Sequence, residues 1–211
     1  MKIIDISWPL SEATTGYKDK KIVKFEPTKT FDKDGVREST ITLSSHSGTH
    51  VDAPSHFLRD GKTIDQITLD RLVGTCMVLD MSEVQEKITR ADLAAFDDQI
   101  LEGDILLLKT MNSATPANEK FTPHFVYLEH SGAQYLKEKG IKAVGIDYLG
   151  IEHSQIGHLT HKECMHSDIV IIEGLRLGHV EPGEYFFCCL PLLTLGLDGA
   201  PARAVLIQDK A

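Results

Sequence analysis

The segment Leu43–Phe57 holds His46, His50, Asp52 and His56 within eleven residues. Imidazole and carboxylate are the side chains that zinc and manganese take as ligands. The chemistry such a cluster could carry is hydrolysis by a metal-activated water. The spacing also constrains shape. All four positions are even-numbered and would share one face of a straight strand. His46 and His50 would then stand roughly 13 Å apart, at about 3.3 Å per residue. That is too far for two ligands that each sit about 2 Å from one ion. A helix would bring i and i+4 together, but Gly48, Thr49, Val51 and Pro54 oppose one. The chain is expected to bend, with Gly48 the natural place. Asp52 has two carboxylate oxygens and could bridge two ions, and Pro54 stiffens the approach to His56.

A lone histidine is more often a hydrogen-bonded structural residue than a ligand, so the density of the cluster carries the argument. A second group lies far along the chain: His153, His158, His161, His166 and Glu173. Glu173 follows the apolar run Asp168–Ile172, and a carboxylate at the end of a buried strand needs a charged partner or a metal. Spacing does not decide which histidine joins it, and surface histidines are the plain alternative. There is no G-x-S-x-G elbow, H-E-x-x-H helix, P-loop or G-x-G-x-x-G, which argues against serine hydrolases, zincins and nucleotide enzymes.

Short elements must position these groups. Apolar runs at Lys2–Ser7, Glu38–Ser45, Cys76–Met81, Asp104–Lys109, Ala143–Asp147, Asp168–Ile172, Tyr185–Leu190 and Ala202–Gln208 read as strands from their length and β-branched content. Glu38–Ser45 alternates in the manner of a strand with one solvated face. Helices are fewer. Thr89-Arg90-Ala91-Asp92 resembles a capping box with Asp in place of Glu. Ser131–Lys139 ends at Gly140, and His158–Met165 reads as a third. Met111–Thr122 and Tyr148–Gly157 read as loops of the kind that border sites. The sum is an α+β domain with a mixed sheet and few helices.

The 211 residues fit one domain, 1–211, and are enough to bury a sizeable core. The composition, 42% hydrophobic and 25% charged, is that of an ordinary globular protein. A net charge of −9 gives no nucleic-acid footprint. No apolar run approaches the roughly 20 residues needed to span a bilayer, and the N-terminus is too short in apolar residues for a signal peptide. Cys76, Cys164, Cys188 and Cys189 form no C-x-x-C pair and read as buried hydrophobes in a reducing compartment. The expectation is a cytoplasmic protein with no membrane or nucleic-acid partner.

The run His46-Ser47-Gly48-Thr49-His50-Val51-Asp52-Ala53-Pro54-Ser55-His56 resembles the H-x-G-T-H-x-D-x-P-x-H signature of the cyclase family of metal-dependent hydrolases, which includes bacterial kynurenine formamidase and isatin hydrolase. The likeness extends from Asp5-Ile6-Ser7 through Gly145-Ile146-Asp147 and Ile172-Glu173-Gly174-Leu175 to Gly196–Leu206. The resemblance implies a β-rich fold of the swivelling β/β/α type with a few covering helices, assembled as a homodimer or homotetramer. It implies a divalent metal, zinc or manganese, one or two ions per subunit. His46, His50 and Asp52 match the ligands of the first ion, and Asp52 and Glu173 match the bridging carboxylates. The remaining family ligand, a histidine twelve residues before that glutamate, falls on His161. His56 matches the catalytic acid/base.

Two positions depart from the family pattern. Tyr17 stands where kynurenine formamidase has a tryptophan that contacts its aromatic substrate, and Gly150 where members often have serine. Both fall in expected substrate loops and leave the substrate open. The expected activity is hydrolysis of a small amide, N-formylkynurenine first and isatin or another small cyclic amide second. A catalytically silent metal-binding protein is the alternative of a different class.

Overall fold

Twelve strands and four helices follow from the apolar pattern in the computed structural model, which describes residues 1–20, 23–153 and 155–208. Ser154, inside the loop expected over Tyr148–Gly157, lies outside the described residues. The strands are β1 (Lys2–Asp5), β2 (Lys24–Lys29), β3 (Glu38–Thr42), β4 (His50–Asp52), β5 (Val73–Asp80), β6 (Lys87–Ile88), β7 (Ile105–Lys109), β8 (Tyr127–Leu128), β9 (Ala143–Ile146), β10 (Val170–Glu173), β11 (Gly183–Pro191) and β12 (Gly199–Gln208). The helices are α1 (Phe31–Asp34), α2 (Arg90–Ala94), α3 (His130–Lys139) and α4 (Leu159–His166).

Eight strands form one mixed sheet in the order β1-β12-β11-β5-β7-β9-β10-β4. β5, β7, β9 and β10 run parallel to their neighbours in that series, and the other pairings are antiparallel. β4 pairs with β10 on one side and with the first residues of β12 on the other, so the sheet closes on itself. The α+β class with a mixed sheet and few helices is the one observed.

Strand alternation sorts the apolar residues into two cores. On β7, Ile105 and Leu107 face the closed interior together with Val51, Ile172, Phe187 and Leu206. Leu106 and Leu108 face outward, under α2, α3 and α4, with Leu93, Leu136 and Cys164. All four β7 residues are fully buried. Each such side chain contributes about 1.5–3 kcal/mol of transfer free energy.

Helix ends follow local chemistry. Thr89 and Asp92 form the capping box, with the Thr89 amide donating to Asp92 Oδ2 at 2.7 Å. α3 begins one residue earlier than expected, capped by Glu129, and ends at Gly140 in the left-handed region (φ 69°). All four cysteines are free. Among the described residues no helix is long and apolar enough to cross a membrane.

Two sequence expectations need correction. Glu38–Ser45 does not present one buried face. Among the described residues β3 pairs only with β2, in a two-stranded ribbon set apart from the main sheet, and its residues are exposed on both sides. Alternation in sequence cannot reveal that nothing covers the apolar face. β4 was not anticipated, because three residues rich in ligand types carry too little apolar signal to mark a strand.

Candidate metal centre

The bend before β4 falls at Gly48, which adopts a left-handed φ of 59°. It brings His46, on the preceding turn, beside the strand, with the His46 and His50 rings 5.0 Å apart between centroids. Within β4, Val51 points into the inner core, so His50 and Asp52 point to the opposite face. Across the β4–β10 pair, His50 is in register with Glu173. α4 packs over this face and supplies His161.

The five residues expected as ligands therefore meet. Asp52 Oδ1 lies 2.9 Å from His46 Nδ1 and 3.4 Å from His50 Nε2, while its Oδ2 lies 3.6 Å from His161 Nε2. Glu173 offers one oxygen to each of two rings: Oε2 is 3.4 Å from His50 Nε2 and Oε1 is 3.4 Å from His161 Nε2. The Ile151 amide donates to Glu173 Oε1 at 2.7 Å. His50, Asp52 and Glu173 are each at most 5% exposed. Their ligand atoms lie within 4.8 Å of one another, and so do those of His46, Asp52 and His56. Asp52 belongs to both groups.

The donor set suits a divalent cation. His50 Nδ1 sits 2.9 Å from the Gly48 carbonyl oxygen, which can only accept, so the neutral ring turns its Nε2 lone pair toward two carboxylates. Nε2 of His50 and Oδ2 of Asp52 are buried without a hydrogen-bond partner. Such a pairing of lone pairs needs either an extra proton or a cation. The protonation alternative is visible in the pKa values. Burial alone would depress His50, but Asp52 and Glu173 outweigh it and raise the value to about 10. His161 is raised likewise, against its burial, by Asp52, Glu152 and Glu173. Burial pushes Asp52 up, yet the three histidine contacts hold it well below the ordinary carboxylate range.

His56 differs from these rings. Burial lowers its pKa and the Asp52 charge only partly offsets this. Its ring stacks 4.0 Å from His46, and its Nδ1 is 3.4 Å from Asp198 Oδ2. His46, His50, His56, His161 and Glu173 open onto a cavity of about 330 Å³, which Tyr17, Leu149 and Gly150 also line. A Cβ on Gly150 would lie 3.5 Å from the Tyr17 ring and 3.3 Å from Phe125. A side chain at position 150 would thus stand beside the tyrosine.

Two residues of the site, Asp198 and Glu152, carried no assignment in the sequence. Asp198 reaches His46 Nε2 at 2.8 Å as well as His56. Glu152 lies behind His161, and His158 stands on Glu152. The signal for Asp198 was its place in the Gly196–Leu206 run, where a carboxylate sits among small and apolar residues. For Glu152 it was an acid directly after the apolar stretch Tyr148–Ile151. Of the other histidines left open, His153 packs on Phe125 and Tyr127.

Known proteins resemble this chain over nearly its whole length. A family model described as Putative cyclase matches residues 4–153. The kynurenine formamidase of Bacillus cereus is 34% identical over 206 residues, covering 96% of this chain and 96% of that protein. The solved structure of a predicted metal-dependent hydrolase from Bacillus stearothermophilus superposes with a TM-score of 0.86 at 42% identity, covering 97% of each chain. An isatin hydrolase bound to the product analogue thioisatinate shares the fold alone, with a TM-score of 0.88 at 20% identity, covering 99% of this chain and 93% of that one.

Proposed function

The chain belongs to the Putative cyclase family, and from that premise we propose that it is a metal-dependent hydrolase that cleaves the formyl C–N bond of an aryl formamide, N-formylkynurenine first among them. One observation carries this reading: Asp52 and Glu173, both buried, face the Nε2 atoms of His50 and His161, a donor set that suits a divalent cation. His46 and His50 would serve one ion and His161 a second, with the carboxylates of Asp52 and Glu173 shared between them, and zinc or manganese both compatible with these ligands. When bound, the metal supplies Lewis acidity that activates water and polarises a carbonyl.

The chain's own groups do the rest. His56, kept neutral near pH 7 by burial, takes a proton and returns it to the departing nitrogen, which otherwise leaves poorly. Asp198, 3.4 Å from its Nδ1, orients the ring. Tyr17 and Leu149 form the apolar wall for the aryl group, and the cavity of about 330 Å³ limits it to a small one.

The whole of 1–211 would act as one domain in the cytoplasm, as a homodimer or homotetramer. Exposed Leu192, Leu193, Leu195 and Leu197 form an apolar segment beside Asp198, and Phe25 and Ile41 another on the β2–β3 ribbon. Segments of this kind mark contact surfaces.

The test is hydrolysis of N-formylkynurenine by protein reloaded with zinc or manganese, against a chelated sample. Fast, chelator-sensitive turnover supports the reading. A metal-loaded protein inert on this substrate would reject it and direct the assay to isatin and other small cyclic amides.

A further inference from the structure

Glu152 takes no part in the ligand set above, yet its carboxylate is 3% exposed and each of its oxygens faces a histidine. Oε1 accepts from His158 Nδ1 at 2.6 Å. Oε2 accepts from the His161 backbone amide at 3.1 Å and lies 3.1 Å from His161 Nδ1, though off-angle for a full hydrogen bond. His161 Nδ1 is otherwise a buried atom without a partner. The opposite nitrogen, Nε2, is the one that faces Asp52 and Glu173.

His158 is held on the other arm. It lies at the N-terminal end of α4 with φ 53° and ψ 53°, a left-handed conformation that side chains rarely adopt. Its ring stacks on Phe57, with centroids 4.5 Å apart, and its half-exposed side chain lines the same cavity as the metal centre. Residues kept in sparsely populated backbone regions persist where their surroundings over-determine them.

We propose that Glu152 is a positioning residue with two outputs: it presents His161 to a divalent cation and His158 to the substrate. A carboxylate 3.1 Å from His161 Nδ1 favours the proton on that nitrogen, the tautomer in which Nε2 carries the lone pair. Outer partners of this kind commonly change metal affinity 10–100-fold. On the other arm, Nδ1–H of His158 is committed to Glu152, so its Nε2 in the neutral ring is an acceptor. It suits a substrate N–H or O–H beyond the scissile bond. The inference rests on the metal-hydrolase reading.

The experiment measures zinc affinity by competition with a chelator of known affinity, a readout independent of turnover. Glu152→Gln should weaken zinc binding about 10–100-fold. The same change on a His161→Ala background should cost little more than His161→Ala alone, because the carboxylate acts through that ring. His158→Ala should leave zinc affinity unaltered and raise KM more than it lowers kcat. Wild-type zinc affinity in Glu152→Gln, or full additivity with His161→Ala, would overturn the proposal while the hydrolase reading stands. A wild-type protein that binds no zinc or manganese would remove both. Circular dichroism of the metal-free variants checks folding, and Glu152→Asp carries the same test if Glu152→Gln does not fold.

Discussion

His50 stands directly across the β4–β10 pair from Glu173, with Nε2 3.4 Å from Oε2 and with Nδ1 committed to the Gly48 carbonyl. The pairing register therefore places an imidazole lone pair against a carboxylate at the buried floor of the cavity. Removing the charge of Glu173 should remove most of the attraction for a cation there. Glu173→Gln, nearly isosteric, is expected to bind metal more than 100-fold more weakly, beyond the effect of an outer partner. Elemental analysis after dialysis against a weak chelator checks this, and unchanged metal content would show that Glu173 is not a ligand.

Asp52 has a different position, with Oδ1 toward His46 and His50 and Oδ2 toward His161. A residue shared in this way should act on both ions together. Asp52→Asn is expected to lower both steps of a metal titration. A variant that retains one ion at wild-type affinity would refute the bridging role.

His56 touches Asp198 and stacks on His46, but its pKa runs opposite to those of His50 and His161. The contrast follows from their surroundings: His50 and His161 face buried carboxylates, whereas burial dominates at His56. His56→Ala should lower kcat about 10²–10⁴-fold with metal content preserved. Parallel loss of metal and activity would make His56 a ligand instead.

Much of this site was readable before any coordinates. The need for a bend at Gly48 follows from strand geometry and the reach of one ion, and the glycine takes the left-handed conformation that the argument requires. What could not be read was the choice of His161 among four histidines, because it depends on α4 packing against β10. Only the family resemblance pointed to it. Asp198 and Glu152 escaped for the same reason: each meets its histidine through a fold-level contact rather than a local spacing. In the fold, strands with apolar alternation were legible, β3 among them, whereas β4, β2 and the exposure of the β2–β3 ribbon were not. Their character is set by what covers them.

Asp147 is buried and accepts from the Thr110 amide, the Thr110 hydroxyl and the Ser113 hydroxyl at 2.6–2.9 Å. Burial outweighs these bonds and raises its pKa from 3.8 to about 6. The folded state thus holds this proton up to about pH 6, whereas the unfolded chain releases it near 3.8. Folding takes up a proton between those limits, so this contribution falls as pH rises from 3.8 through 6. On lowering the pH from 7 to 5, wild type should gain about 1 kcal/mol relative to Asp147→Asn. Urea denaturation of both proteins at the two pH values tests the sign. A difference that stays flat or reverses would mean that Asp147 is ionised throughout.

Gly174 follows Glu173 directly and has a φ of 70°. A Cβ there would overlap the Gly48 carbonyl and lie 3.0 Å from the Thr49 amide. Thr49 Oγ1 donates to the Gly174 carbonyl at 2.5 Å, so the two turns are locked together. The Gly48 carbonyl is also the group that fixes His50 Nδ1. Gly174→Ala would therefore displace the partner that orients a metal ligand, although residue 174 touches no ligand atom itself. The backbone conformation costs an alanine about 1–2 kcal/mol, and relief of the overlap adds to that. The variant is expected to unfold at lower urea and to bind zinc more weakly than its stability loss explains. Metal affinity measured under conditions where the protein is fully folded separates the two effects. A variant destabilised by the expected amount but with wild-type zinc affinity would show that the Gly48 turn does not govern His50.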